Sequence, residues 1–156
     1  MTYKEMKEKH QQEVNAFPFG FAFDKDQFLD MMKNWGLCHG RDGQPTLNDL
    51  KQIASIGAGG YVRKKDIPDM HAMFNRQHQE LQEAILADKT GDGFIFQMFY
   101  EEMSDHEFDW TQDTDETLHA LGLTSSQVEN NPDLASGWRK AQDRIFGKSV
   151  FQKEKE

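Results

Sequence analysis

The 156-residue sequence has a single cysteine, Cys38. It also has no apolar run as long as the ~18 residues that a membrane-spanning helix requires. One cysteine excludes an internal disulfide framework and is typical of a protein from a reducing compartment. The first residues, MTYKEMKEKHQQEV, lack the apolar core of a signal peptide. We therefore expect a cytoplasmic protein that makes no membrane contact.

Lysine and arginine are absent from residues 90–138, whereas the same segment has 11 aspartates and glutamates. The rest of the chain has 16 acidic and 18 basic residues, so it carries +2 although the whole chain carries −9. A surface with this excess of negative charge repels nucleic acid and attracts basic surfaces. The alternative interpretation is a solvated acidic face that only increases solubility.

Hydrophobic periodicity predicts an α+β fold, namely a mostly helical single domain with a small antiparallel sheet of short strands. We expect this domain to cover residues 1–147 and to be followed by a frayed C-terminal tail over 148–156. Short strands are predicted over 17–23, 59–66 and 107–111. Helices are predicted over 2–15, after Asp24, over 47–56 after Thr46, from Asp66 to Ala87, over 94–106, after Asp113 or Thr114, and over 131–146. A turn is predicted to start at Ser125.

The segment DKTGDGFI, which begins at Asp88, is similar to the start of a calcium-binding EF-hand loop. Asp88, Thr90 and Asp92 occupy positions 1, 3 and 5 of such a loop, and Gly93 occupies position 6. Position 12 is Phe99, so the bidentate glutamate that completes a calcium site is missing. We therefore interpret the segment as a turn in which Asp92 caps the element that follows.

The glycine-rich segment SIGAGGYVRKK is a candidate for holding a phosphate on backbone N–H groups beside Arg63. Its spacing matches neither the P-loop nor the dinucleotide-binding fingerprint. We therefore expect these glycines to end a helix and to let two backbones approach each other.

The segment EEMSDHEF gathers four acidic residues around His106. If it is helical, Glu102 and His106 lie on one face, where they form a candidate pair for a metal ion or for acid–base chemistry. The HExxH motif is absent, and the spacing places no third ligand. This pair defines our alternative hypothesis, a small-ligand or divalent-metal-binding protein, with enzyme activity left open, that uses Glu102, His106 and Glu107.

Three segments, SIGAGGYVRKKD, MFYEEMSDHEF and TLHALGLTSSQVENNPDL, resemble those of an uncharacterised family of small proteins from phages and other bacterial mobile elements. The resemblance extends over residues 50–146, and the family has no activity that transfers to a residue of this chain. It implies an accessory protein of a mobile element. Such proteins often interfere with host defence, as acidic anti-restriction and anti-CRISPR inhibitors do.

Our leading hypothesis is a non-enzymatic, acidic interaction protein of the counter-defence type that occupies a basic nucleic-acid-binding groove of a host protein. Because duplex DNA has about one negative charge per 1.7 Å of its axis, such a protein needs carboxylates at comparable density on one face. We expect no catalytic residue, no cofactor, no metal and no direct contact with nucleic acid. The partner-binding carboxylates are predicted to be those of Glu101, Glu102, Asp105, Glu107, Asp109, Asp113, Asp115 and Glu116.

Overall fold

The computed structural model of the chain describes residues 1–106 and 114–153, with side chains as far as Gly147. These residues form an α+β fold, mostly helical with a small antiparallel sheet, as the sequence predicts. No helix in the described ranges is long and apolar enough to cross a membrane. The helices are α1 (Tyr3–Ala16), α2 (Lys25–Asn34), α3 (Leu47–Leu50), α4 (Ile67–Ala87), α5 (Phe94–Asp105), α6 (Thr114–Leu121), α7 (Ser125–Asn130) and α8 (Pro132–Lys153). The strands are β1 (Gly20–Phe21), β2 (Ile53–Gly57) and β3 (Gly60–Arg63).

The chain divides into two compact units. Unit 1 consists of Met1–His10 together with His78–Glu156, and unit 2 is the intervening segment Gln11–Gln77. Both boundaries fall inside helices, one within α1 and the other within α4. The single domain over 1–147 and the frayed tail over 148–156 stay predictions.

The core of unit 1 is built around α5. Ile95, Met98, Phe99 and Met103 are fully buried, because their spacing places them on one face of the helix. Helix α8 packs against this face, where the ring of Trp138 meets that of Phe99 edge to face at 5.0 Å. The start of α1 also contributes to unit 1, since Tyr3 belongs to the same hydrophobic cluster.

Unit 2 is organised by its sheet, in which the strand order is β1-β3-β2 and both pairings are antiparallel. Helix α2 packs on one face, where the ring of Phe28 lies 5.5 Å from that of Tyr61. Gly20 allows this close approach, because a Cβ at this position would lie 2.4 Å from Sδ of Met31.

The prediction of a helix over 47–56 is wrong beyond Leu50. Residues 53–57 form β2 instead, and Gly57 and Gly59 make the turn into β3 with φ of 87° and 77°. The glycines therefore connect two strands, where we expected them to end a helix. Pairing with β3, in which Ile53 lies opposite Arg63, decides the conformation of this segment, because strand preference depends on tertiary context.

The helix predicted over 94–106 is confirmed as α5. Ser125, where we predicted a turn, begins the short helix α7, which Thr124 caps through reciprocal hydrogen bonds with Gln127. The strand predicted over 107–111 lies outside the described residues.

Candidate functional site

A buried carboxylate, that of Glu102 on α5, lies at the centre of a polar cluster in unit 1. Its side chain is 4% exposed. The Tyr3 hydroxyl donates a hydrogen bond to Oε1, and Lys7 Nζ lies 2.9 Å from the same oxygen. His106 Nε2 lies 3.3 Å from Oε2. The helical spacing of α5 thus brings Glu102 and His106 together as predicted, whereas Tyr3 and Lys7 come from α1.

The protonation states in this cluster follow from its charges. Burial raises the pKa of the Tyr3 phenol, and the hydrogen bond to the Glu102 carboxylate raises it further. Burial lowers the pKa of Lys7, but its bonds to Asp105 and Glu102 outweigh this effect and raise the pKa above its ordinary value. At neutral pH, Tyr3 is therefore a neutral donor and Lys7 a charged one, and both donate to Oε1 of Glu102.

The Glu102–His106 contact, at 3.3 Å, is slightly longer than the roughly 2.6–3.2 Å over which two side chains transfer a proton directly, so proton transfer between them would need a closer approach or one bridging water. Nδ1 of His106 faces Glu116 Oε2 of α6 at 3.7 Å. Glu107, the third residue of the alternative hypothesis, lies outside the described residues. Within the described part of the chain, no three His, Cys, Asp or Glu side chains are placed to hold a metal ion.

The DKTGDGFI segment is a turn, and the residue that caps α5 is Asp88. Its Oδ1 accepts hydrogen bonds from the N–H groups of Thr90 and Gly91 at 3.1 and 3.0 Å. Its Oδ2 accepts from those of Gly93 and Ile95 at 3.2 and 3.1 Å. Burial opposes ionisation, but these N–H groups outweigh it and lower the pKa of Asp88.

The prediction that Asp92 caps this element is wrong. Its carboxylate instead forms an ion pair with Lys140 of α8. Both aspartates suit a turn by composition, but the four N–H groups that point inwards converge on Asp88. Asp88 therefore provides acceptors for the N–H groups of the turn and for that of Ile95 in the first turn of α5.

A second buried carboxylate, Asp49 in unit 2, was not among the predicted site residues. It accepts hydrogen bonds from the N–H groups of Thr46 and His39 at 2.9 Å each, and its Oδ1 lies 2.6 Å from His39 Nδ1. These two N–H groups lower the pKa of Asp49 well below its ordinary value. The signal in the sequence is the capping box that Asp49 forms with Thr46. Asp49 therefore closes the loop between α2 and α3 and orients an exposed histidine.

Arg63, the candidate phosphate ligand, is engaged within unit 2. Its Nε donates to Asp66 Oδ2 at 2.8 Å, and its guanidinium lies 5.7 Å from the centre of the Trp35 ring. The neighbouring glycines form a hairpin turn between strands. They therefore do not precede a helix N-terminus as a phosphate-binding glycine loop does.

Comparison with known proteins assigns the chain to a family without assigning an activity. Residues 2–144 match DUF7659, a family of unknown function. The chain belongs to the DUF7659 family. No curated protein and no solved structure matches it. The resemblance to an uncharacterised family thus holds at the level of a family of unknown function, and membership gives none of the side chains above a known role.

The predicted partner-binding carboxylates of this DUF7659 chain lie in different surroundings. Glu102 is buried and bonded, so it presents no carboxylate to a partner in this conformation. Asp105 is exposed and paired with Lys7 at 2.8 Å, and Glu101 is half-buried. Asp115 and Glu116 are exposed in the first turn of α6. The three remaining acidic residues, Glu107, Asp109 and Asp113, lie outside the described residues.

An open groove of about 460 Å³ lies beside the first turn of α6 and the residues that lead into α7 in this DUF7659 chain. Its apolar lining consists of the half-buried Leu123 and the small exposed part of Leu118. Asp115 and Glu116 add two exposed carboxylates to the lining. The complete lining consists of Asp115, Glu116, Leu118, His119, Leu123, Thr124 and Ser125.

Proposed function

We propose that this member of DUF7659 is a non-enzymatic interaction protein whose acidic surface binds a basic surface of a nucleic-acid-binding protein. The observation that carries the proposal is the segregation of charge along the chain. Residues 90–138 contain 11 acidic residues and no lysine or arginine. Unit 2 has eight acidic and eight basic residues, so the whole net charge of −9 belongs to unit 1.

The groove at α6 and α7 supports the proposal, because it combines carboxylates with apolar surface. A lysine or arginine of a partner can lay its aliphatic stem over Leu118 and Leu123 while its charged end reaches Asp115 and Glu116. Such a contact discriminates in favour of basic side chains and against phosphates. Nucleic acid itself would be repelled from this surface.

We further propose that the biological setting is counter-defence. In this setting the protein comes from a phage or another mobile element and blocks the groove that normally holds nucleic acid, as inhibitors of the anti-restriction or anti-CRISPR type do. The resemblance of the three sequence segments and the density of acidic residues support this setting. Competition between the protein and DNA for the same host protein is its direct consequence.

The test is capture of partners from a bacterial lysate by tagged protein at low salt, followed by a salt gradient. We expect a nucleic-acid-binding protein that elutes as salt rises, because exposed charge pairs are screened, and whose binding to DNA the protein competes away. The Asp115→Lys/Glu116→Lys variant should lose this partner. The matched control, Asp30→Lys/Asp69→Lys, makes the same change in net charge at exposed positions of unit 2 and should retain it. Retention by both variants would contradict the proposal.

The contact between Glu102 and His106, at 3.3 Å, favours a second candidate function, binding of a small ligand or a divalent ion at this pair. A ligand that binds only the folded state raises the unfolding temperature. Wild-type protein should then melt at a higher temperature with a divalent ion or a nucleotide, and the His106→Gln variant should not. An unchanged melting temperature with both probes would reject this candidate.

A further inference from the structure

Three large apolar side chains of unit 2 are exposed around the end of the β2–β3 hairpin. Phe21 of β1 is 61% exposed, Phe23 just after β1 is 75% exposed, and Ile56 of β2 is 44% exposed. Scattered exposed apolar residues are common on protein surfaces, whereas the largest contiguous apolar patch of a protein, on the order of 300–600 Å², is often functional. We call Phe21, Phe23 and Ile56 the hairpin-end patch.

The members of the patch lie close together because Gly59 and Gly60, which lie between them, have no side chains. Phe21 pairs with Gly60 across the sheet, and a Cβ on Gly60 would lie 2.8 Å from Cγ1 of Ile56. Paired residues direct their side chains to the same face of a sheet, so Phe21 and Ile56 share a face. A Cβ on Gly59 would lie 2.5 Å from Cε1 of Phe23, so this ring lies on the backbone of the same turn.

The distribution of charge indicates which partner fits the patch. Two copies of a chain that carries −9 repel each other, but unit 2 has equal numbers of acidic and basic residues. Strand β2, IASIG, contains no charged residue. A second copy can therefore approach through unit 2 without excess like charge in the contact. An apolar patch on a two-fold axis is also complementary to itself.

We propose that the hairpin-end patch is a self-association surface through which two copies of the chain form a reversible dimer. From the exposed fractions, the patch presents on the order of 300 Å² of apolar surface per copy. Two such patches bury less than the roughly 1,200 Å² of the smallest stable interfaces, so the dimer is weak and depends on concentration. The dimer carries two acidic units, which lets one particle engage two basic sites.

Sedimentation equilibrium over a wide range of protein concentrations tests this inference. The weight-average mass of the wild type should rise from the monomer value of 18.1 kDa towards twice that value. Phe23→Ser and Ile56→Lys should each shift dimer formation to at least about tenfold higher concentration, because both change the centre of the contact. The matched control is Leu86→Ser, which removes a leucine of unit 1 that is 63% exposed. Leu86→Ser should leave the concentration at which dimers form as in the wild type. Circular dichroism should show that every variant is folded.

Salt separates this association from the binding of a basic partner. Added salt screens the repulsion between two acidic chains, so it should preserve or strengthen the dimer, whereas it should weaken capture through the acidic surface. A monomeric mass at every wild-type concentration overturns the inference. A dimer that survives in both patch variants, or that Leu86→Ser disrupts equally, also overturns it. Neither result bears on the acidic surface, whose own test uses Asp115 and Glu116.

Discussion

Replacement of Asp88 by asparagine changes one of the two carboxylate oxygens that hold the start of α5. Oδ1 serves the N–H groups of Thr90 and Gly91, and Oδ2 serves those of Gly93 and Ile95. Asparagine keeps one carbonyl oxygen and brings an amide NH₂ in place of the other. Whichever way the amide turns, two backbone donors lose their acceptor and face a donor.

The magnitude follows from the two lost bonds and their surroundings. A net hydrogen bond to a charged group contributes about 1.5–3 kcal/mol. If the NH₂ faces Gly93 and Ile95, the exposed Gly93 N–H regains water, whereas Ile95 is fully buried and its N–H is left without a partner. We therefore expect Asp88→Asn to lower the free energy of unfolding by about 2–3 kcal/mol, which is at or above the upper limit of about 2 kcal/mol for the loss of a single helix cap.

The loss should depend on pH with a defined sign. The folded state lowers the pKa of Asp88 from its ordinary value of 3.8, so the folded protein binds this proton less tightly than the unfolded chain does. The contribution of Asp88 is therefore complete above the ordinary pKa and is lost as the pH falls through the folded-state value. The difference between wild type and Asp88→Asn should be constant near neutral pH and should shrink below about pH 4.

Urea unfolding followed by circular dichroism at pH 7 and at acid pH measures both quantities. The matched control is Asp92→Asn in the same turn, since the Asp92 side chain is 59% exposed and pairs with Lys140 at the surface. It should change the free energy of unfolding by less than about 1 kcal/mol. Equal losses for the two variants, or a difference that stays constant into the acid range, would refute the assignment of the cap to Asp88.

Three further substitutions test the packing of unit 1 by urea unfolding. Gly137→Ala should destabilise the protein by about 1–3 kcal/mol, because its Cβ would lie 2.4 Å from Cγ2 of Ile95. Gly147→Ala in the same helix meets no atom within 4 Å and should stabilise it by about 0.5–1 kcal/mol; destabilisation at both positions would contradict the packing argument. Thr117→Val should stabilise the protein by about 1 kcal/mol, because the buried Thr117 hydroxyl has no hydrogen-bond partner in the described structure. A loss of stability would show that this hydroxyl is hydrogen-bonded in solution.

Element starts were predictable where the stabilising contact is local. Asp24 caps α2 through the N–H of Gln27, and Thr46 caps α3 through that of Asp49. Each contact spans three residues, so composition and spacing suffice to identify it. The conformation of residues 53–57 depends instead on a neighbouring strand, and no local pattern distinguishes it from a helical turn.

The candidate site was likewise predictable only where its contacts are local in the sequence. Glu102 and His106 belong to one helix, so their spacing predicts their contact. Tyr3 and Lys7 lie 99 and 95 residues from Glu102 in the chain, and only the tertiary fold brings them to it. The same contacts bury Glu102, which the sequence places among exposed acidic residues.

The composition of unit 1 from two distant segments has a consequence for the order of folding. Tyr3 and Met6 are buried in the first ten residues, yet Tyr3 bonds to Glu102, 99 positions later. During synthesis this part of α1 has no carboxylate to bond until Glu102 leaves the ribosome, whereas the continuous segment of unit 2 is already complete. If unit 2 folds first, the flexible chain between Tyr3 and Glu102 becomes effectively shorter. The contact between these two residues then closes a smaller loop, at a lower cost in conformational entropy. A deletion through Lys7 would accordingly remove a late-forming part of the core of unit 1.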